Sequence, residues 1–449
     1  MRIKQISVTG LFGIFDHVIP LNMDERITII HGPNGFGKTA MLRILNSFFN
    51  SRYSDLRTIP FKDFRVAFDD SSSIEIIKNI ENSDEAKKNN IVFKFEQPYS
   101  EAAYFYLKPR KIRSDRRLPL MILGSDIQEM YSHIKPLDIS TGEPLFYGEG
   151  VEHFDNWSSL NLKSQEEPDW LEKLKSNIHI RLIESERLLN FVPNHTSRRS
   201  AEMPSMLSTV SAYSDELAKL MQDKFKEYGT TSQSLDRTFP VRVVKQQPST
   251  DLTDEQLRHQ LNELEATRSR LIEVGLLDKD EDTEFQIQPQ DIDESTKNAL
   301  SVYIQDVEKK LSVFAEIASK IDLLRKIINN KFAYSYKEIN FSKEKGFVVT
   351  TSYDAPLSNS KTLLPTDLSS GEQHELVLLY ELLFKVQPNS LVLIDEPELS
   401  LHVGWQVQFL KDLQDITKLT DLNILMATHS PDIIQDRWDL TVELKGPQK

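Results

Sequence analysis

Gly32-Pro33-Asn34-Gly35-Phe36-Gly37-Lys38-Thr39 reads GxxxxGK[ST], and its neighbours supply the setting in which that pattern has a mechanism. Upstream, Arg26-Ile27-Thr28-Ile29-Ile30-His31 is a β-branched run suited to a buried strand. Downstream, Ala40-Met41-Leu42-Arg43-Ile44-Leu45-Asn46-Ser47-Phe48-Phe49 carries apolar residues at helical spacing. Strand, glycine loop and helix in that order predict a phosphate-binding loop. Gly32, Gly35 and Gly37 let the backbone bend until its N–H groups converge on a polyphosphate, and the helix N-terminus adds partial positive charge. Lys38 then reaches the β/γ-phosphates and the Thr39 hydroxyl ligates Mg²⁺. Pro33, Asn34, Phe36 and Ala40 complete the stretch expected to touch a nucleoside triphosphate.

The chain has 449 residues, room for two to four domains. Its hydrophobic content of 39% supports a sizeable core, and 27% charged residues is ordinary for a globular chain. No apolar run approaches the ~18 residues of a membrane span. Met1-Arg2-Ile3-Lys4-Gln5 alternates like a strand and lacks a signal-peptide core. With no cysteine there are no disulfides and no thiolate metal sites, which fits a cytoplasmic protein. A net charge of −14 argues against a nucleic-acid coat while leaving room for a local basic groove.

Beyond the opening unit, strands are expected at Phe61 to Phe68, Ile74 to Ile77, Ile91 to Phe95 and Ala103 to Leu107. Lys108 to Arg117 is the densest basic cluster, either a solvated loop or a patch for nucleic acid or an acidic partner. A Pro/Gly-punctuated insert with Trp157 and Trp170 occupies about 110–176. Ile178 to Glu184 reads as a core strand, with Arg187 at its end, where α/β folds keep ligands but where an ion pair is as good a reading. Thr253 and Gln256 form a capping box, and Leu257, Leu261, Leu264 and Leu271 follow at 4-3-7 spacing. After Asp278-Lys279-Asp280-Glu281-Asp282, a second helix from Glu294 carries a seam of Leu300, Ile304, Val307, Leu311, Phe314, Ala318, Ile321 and Ile328. Two such helices read as an antiparallel hairpin arm, or else as helices lying on the core. Ala333 to Tyr353 returns to strand alternation.

A second compact cluster closes the chain. Leu368-Ser369-Ser370-Gly371-Glu372-Gln373 precedes a helix from His374 to Val386, a serine hydroxyl and amides at a helix N-terminus; alone it is also a plain cap. Ser390-Leu391-Val392-Leu393-Ile394-Asp395-Glu396-Pro397 is an apolar strand delivering two carboxylates, one suited to Mg²⁺ and one to activating water. Leu422 to Thr428 is another apolar strand, ending at His429-Ser430-Pro431, where an imidazole can donate to a γ-phosphate.

Together these elements resemble the ABC-type ATPases: phosphate loop, LSxGE signature (Leu368 to Glu372), Asp395-Glu396, Leu399 to His402 and a switch His429, in that family's order. About 330 residues part the phosphate loop from the signature, as in the SMC-type and OLD-like branches, where an arm interrupts the ATPase. Glu398-Leu399-Ser400-Leu401-His402 and Ala427-Thr428-His429-Ser430-Pro431 look most like OLD-like ATPases of bacterial anti-phage defence, similar in size and layout to PARIS ATPase subunits, then to Septu and retron-associated ones.

The resemblance implies an α/β, ABC-type P-loop ATPase head built from N-terminal (1–250) and C-terminal (332–449) halves, interrupted by a helical, short coiled-coil insert (251–331). It implies ATP and Mg²⁺ as cofactors, with Lys38, Thr39 and Asp395 on Mg·ATP, Glu396 as general base and His429 as γ-phosphate sensor. Ser369, Gly371 and Glu372 would contact the nucleotide of an opposite subunit, making an ATP-sandwich dimer or higher homo-oligomer, with Ser400 coupling the two sites. The Gln loop falls at Gln97 or Gln128. The chain closes soon after His429, so no nuclease domain of the OLD kind is expected. The expected role is an oligomeric sensor or scaffold controlling a separate nuclease or toxin, with a phage protein or DNA as trigger and no membrane. The alternative is an SMC-like DNA-binding ATPase of repair or remodelling. A nuclease built on Asp278 to Asp282 is disfavoured because such runs are normally solvated.

Overall fold

Alternation inside the apolar runs decides the layering. The computed structural model describes residues 1–78, 91–107, 166–184, 189–191, 206–245, 253–279, 293–352 and 361–447. In chain order the first elements are β1 (Ile3–Leu11), β2 (Phe15–Pro20), β3 (Ile27–His31), α1 (Lys38–Phe49), α2 (Tyr53–Thr58), β4 (Asp63–Phe68), β5 (Ser73–Lys78), β6 (Ile91–Glu96), β7 (Ala103–Leu107), α3 (Asp169–Ser176) and β8 (Ile180–Ile183). Next come β9 (Leu189–Phe191), β10 (Met206–Ser208), α4 (Thr209–Lys245), α5 (Asp254–Glu273), α6 (Glu294–Ser312), α7 (Ala315–Phe332), β11 (Lys337–Ser342), β12 (Gly346–Thr351) and β13 (Thr362–Leu363). The chain ends with α8 (Ser370–Tyr380), β14 (Leu391–Asp395), α9 (Val403–Thr420), β15 (Asn423–Ala427), α10 (Pro431–Ile434) and β16 (Thr441–Glu443).

The central sheet is parallel, in the order β16-β3-β15-β14-β8. Its strands come from both ends of the chain, so neither half can close it alone. The three central strands β3, β15 and β14 are apolar on both faces, as a sheet covered on both sides requires, whereas the edge strands β16 and β8 carry Glu443 and Arg181. Leu391 and Leu393 of β14 and Leu425 and Ala427 of β15 join one core with α1 and the strands β1 and β4–β7. Val392, Ile394, Ile424 and Met426 face the other core, with the helices α4–α9. The second sheet is antiparallel, β2-β1-β4-β5-β6-β7, and α1 fills the space between the sheets, Phe48 meeting Phe93 edge-on at 5.1 Å. This is an α/β P-loop head assembled from N- and C-terminal halves, with a helical segment between them.

The helical segment differs from the expected hairpin. The 37-residue α4 was not anticipated. It runs antiparallel to α6: Arg242 pairs with Asp306, Lys310 Nζ lies 2.6 Å from Asp236, and the Tyr228 ring lies tilted against Phe314 at 5.2 Å. By contrast α5 runs alongside α6 and α7 in the same direction, since its first residue Asp254 pairs with Lys297 (2.7 Å) while Arg270 pairs with Asp322. The expected second helix is two helices, parted at Val313-Phe314, where Phe314 is buried against Tyr228. Leu257, Leu261, Ile304, Ile321 and Ile328 belong to the same apolar cluster as Ile27 and Ile394, so these helices lie on the core of the head. The helix expected to run to Val386 is α-helical to Tyr380 and continues as a π-helical turn over Glu381–Lys385. Lys108 to Arg117, Trp157, Arg187, Gln128 and Asp280 to Asp282 lie outside the described residues.

Candidate functional site

The strands β3, β14 and β15 are parallel neighbours, so their carboxyl ends open on one edge of the sheet, the usual ligand edge of such folds. Residues 32–37 turn from β3 into α1 there, with Pro33 to Gly35 exposed. Gly37 is the N-cap of α1 at φ +87°, and a Cβ on it would come within 2.2 Å of Leu11 Cδ2, so the turn requires glycine. Strand β2 braces the loop from outside: His17 Nε2 donates to the Phe36 carbonyl at 2.9 Å, and the Phe15 ring lies 5.0 Å from that of Phe36.

Lys38 is 4% exposed, and its ammonium donates to the carbonyls of Gly32 (2.9 Å) and Pro33 (3.2 Å). It also lies 3.4 Å from His429 Nδ1. Burial lowers its pKa, against the pull of Glu396, Glu398 and Asp395. Thr39 Oγ1 donates to Asp395 Oδ1 at 3.0 Å. Burial pushes the Asp395 carboxyl up to about 6; the Thr39 bond opposes this and Glu396 adds to it. Glu396 takes a left-handed conformation at φ +44° that turns the chain out of β14, and its N–H donates to the Ala427 carbonyl at 2.9 Å. Its Oε1 lies 3.5 Å from His429 Nε2. The residues expected at the phosphate loop, Asp395, Glu396 and His429 are therefore brought together by three strand ends.

The family model of the AAA ATPase domain matches residues 1–434. The chain belongs to that family. Among solved structures, this AAA ATPase is similar to the Smc head domain with an extended coiled coil bound to the C-terminal domain of ScpA from Pyrococcus furiosus (12% identity, 96% of this chain and 91% of that one, TM-score 0.33). It is also similar to the SMC head domain from Thermotoga maritima (10% identity, 97% and 92%, TM-score 0.32). No curated protein matches it.

The signature segment lies apart from this cluster. Ser369 is the exposed N-cap of α8, its Oγ accepting the Glu372 N–H at 3.4 Å while its own N–H donates to Glu372 Oε2 at 2.8 Å. Glu372, expected among the nucleotide contacts, has its carboxylate engaged by Lys337 (2.8 Å) and Ser335 (2.8 Å), which pins the signature turn to the start of β11 and the residues just before it. Among the described residues no hydrogen bond or ion pair joins Ser369, Gly371 or Glu372 to the phosphate loop. Gln97 sits in an exposed turn after β6.

Two polar residues of the site carry no assignment from sequence. Glu398 Oε1 accepts the His429 N–H at 2.5 Å, and Gln406 Oε1 accepts from the Ser430 hydroxyl at 2.6 Å. Neither contact has a local signal, because each joins segments more than twenty residues apart.

The site fits a magnesium-bound nucleoside triphosphate. Its donors are hard oxygens, a buried ammonium already held over the loop, and a helix N-terminus. Among the described residues no group of three or more His, Asp or Glu could hold a metal ion. Among the same residues no helix is long and apolar enough to cross a membrane.

Proposed function

We propose that this AAA ATPase binds Mg·ATP at residues 32–40 and hydrolyses it, with Asp395, Glu396 and His429 completing the site. The observation that supports this most is the convergence of Lys38, Thr39–Asp395 and Glu396–His429 on one edge of the parallel sheet. Lys38 exchanges its bonds to the Gly32 and Pro33 carbonyls for β/γ-phosphate oxygens, and a partly desolvated ammonium gains most from that exchange. Thr39 and Asp395 hold the magnesium ion, which neutralises phosphate charge when bound. Glu396 takes the proton of the attacking water, and His429 donates to the γ-phosphate. Ser369, exposed at the start of α8, and Gly371 would contact the nucleotide of a second copy, so that ATP closes a dimer.

The finer reading, an oligomeric sensor or scaffold that holds a nuclease or toxin in anti-phage defence in the cytoplasm, is supported by the resemblance of Glu398 to His402 and Ala427 to Pro431 to OLD-like ATPases. The test has two arms. K38A is expected to lose ATP binding, whereas E396Q keeps binding, loses turnover by roughly 100-fold or more, and doubles in mass with ATP. Co-expression with the genomic neighbour under phage challenge addresses the role: protection by this chain alone, or ATP-dependent binding of duplex DNA without any partner, would overturn the scaffold reading.

A further inference from the structure

The turn that follows the two carboxylates has two sides. Residues 397–400 form a single 3-10 turn, closed by bonds from the Leu399 N–H to the Glu396 carbonyl and from the Leu401 N–H to the Glu398 carbonyl, each 3.2 Å. Its outward side is apolar and exposed: Leu399 is 68% accessible, and Val403, at the start of α9, 62%. Its inward side is polar and tied to the histidine segment at two points. Glu398 Oε1 accepts the His429 N–H at 2.5 Å, and the other oxygen, Oε2, is buried without a hydrogen-bond partner among the described residues. One residue on, the Ser430 hydroxyl donates to Gln406 Oε1 at 2.6 Å, and Gln406 Nε2 returns to the Leu401 carbonyl at 3.2 Å. Gln406 and Ser430 are both buried.

Glu398 and Gln406 thus fasten two consecutive residues of the histidine segment to one turn. The segment is also anchored ahead of the ring, where the Thr428 N–H donates to the Ile30 carbonyl at 3.1 Å, but the Glu398 bond is the one made by a side chain to the backbone of His429 itself. Nδ1 lies 3.4 Å from Lys38 and Nε2 3.5 Å from Glu396, long contacts that leave the ring to be aimed by its backbone. We propose that Glu398 is the positioning residue of His429, holding it over the nucleotide through a single accepted N–H, with Gln406 as the second tie. A displacement of the outer face of the turn then reaches the γ-phosphate side of the site through Glu398. The inference rests on the nucleotide site proposed above and adds a residue that touches neither nucleotide nor water.

The role requires an acceptor at one reach, and charge is secondary. E398Q keeps the reach and an acceptor oxygen; E398D keeps the charge but is one methylene short; E398A removes both. ATP hydrolysis by the full chain is expected to fall roughly 10- to 100-fold in E398A and E398D, the scale of a misplaced catalytic group. Affinity for ATP should stay within about threefold, because Lys38 and the loop amides are untouched, and E398Q should recover most of the rate. Q406L should lower turnover likewise and add little to E398A, since the two ties hold adjacent residues of one segment, Ser430 and His429. Unfolding midpoints taken alongside identify a variant that merely fails to fold, in which case E398Q against E398D still decides. If E398D matches wild type while E398Q is as slow as E398A, the charge of Glu398 acts directly and the positioning role is wrong. Unchanged turnover in all three variants also overturns it and leaves the nucleotide site standing. A wild-type chain that binds no ATP removes the site and this inference together.

Discussion

Lys38 is tied to its own loop by the Gly32 and Pro33 carbonyls, at 2.9 and 3.2 Å, and that shapes what a substitution around it does. The loop backbone therefore sets where the ammonium sits. The arrangement depends on Gly37, whose left-handed φ and missing Cβ let α1 start against Leu11, itself wholly buried. G37A therefore meets two penalties, about 1 kcal/mol for an L residue in that conformation and about 1–3 kcal/mol of overpacking. Chemical unfolding should show the loss, and binding of a fluorescent ATP analogue should vanish with it. In an L11A background the packing part is relieved, so G37A should cost measurably less there; equal costs in both backgrounds would place the clash elsewhere.

At the scale of elements, what could be read from the sequence followed how locally each element is encoded. Strands β3, β14 and β15 are continuous β-branched and leucine runs bounded by Gly, Asp or His, and their ends are the site; residues 26–39, 390–397 and 422–431 announce both. The capping box at Thr253 is equally local, and both of its bonds form. Helix α4 announced nothing, because it buries little beyond Val210, Tyr213, Leu217, Ala218, Met221 and Leu235 and contains Gly229 and Pro240. Without α4, the heptad of α6 seemed to require α5 as its antiparallel partner. The direction of α5 shows only in contacts such as Asp254–Lys297, between segments with no sequence proximity. Glu398 and Gln406 were missed for the same reason.

A half-buried lysine on β5 gives a prediction at this scale. Burial, with a smaller contribution from Arg57, pushes the Lys78 ammonium down from 10.5 to about 8, while its Nζ lies 4.3 Å from the Phe61 ring centre and donates to the Ile59 carbonyl. Between those two values the unfolded chain holds a proton that the fold has released, so stability rises with pH across that window. Wild type should therefore gain on K78M as pH is raised from 7 to 10 in paired urea melts. A constant difference would show that the ammonium stays charged in the fold.

Three helices that come from distant parts of the chain meet at a buried charge cluster. Lys331 at the end of α7 is 1% exposed, and it pairs with Glu375 of the signature helix α8 and, at 2.8 Å, with Asp412 of α9. Desolvation works to lower the Lys331 pKa, yet Glu375 and Asp412 together raise it; burial raises that of Asp412, against the pull of Lys331. The helical segment, the signature helix and the helix after the carboxylate turn thus meet on one cation with two anions around it. Such clusters add little net stability over apolar packing, but removing one member strands the others. K331M should cost about 3–5 kcal/mol at pH 7, because Glu375 and Asp412 then face each other without a cation. Burial already raises the folded pKa of Asp412, and loss of the cation would raise it further, so the variant should regain stability as pH falls from 7 toward 5, where that carboxyl takes up a proton. K331M/E375L/D412L, with no charge left to strand, should lie close to wild type and show none of that recovery. If the single and triple variants unfold at the same urea concentration at pH 7, the three groups are solvated independently, and the junction is held by its apolar neighbours Ile328, Phe332, Leu376 and Phe409 instead.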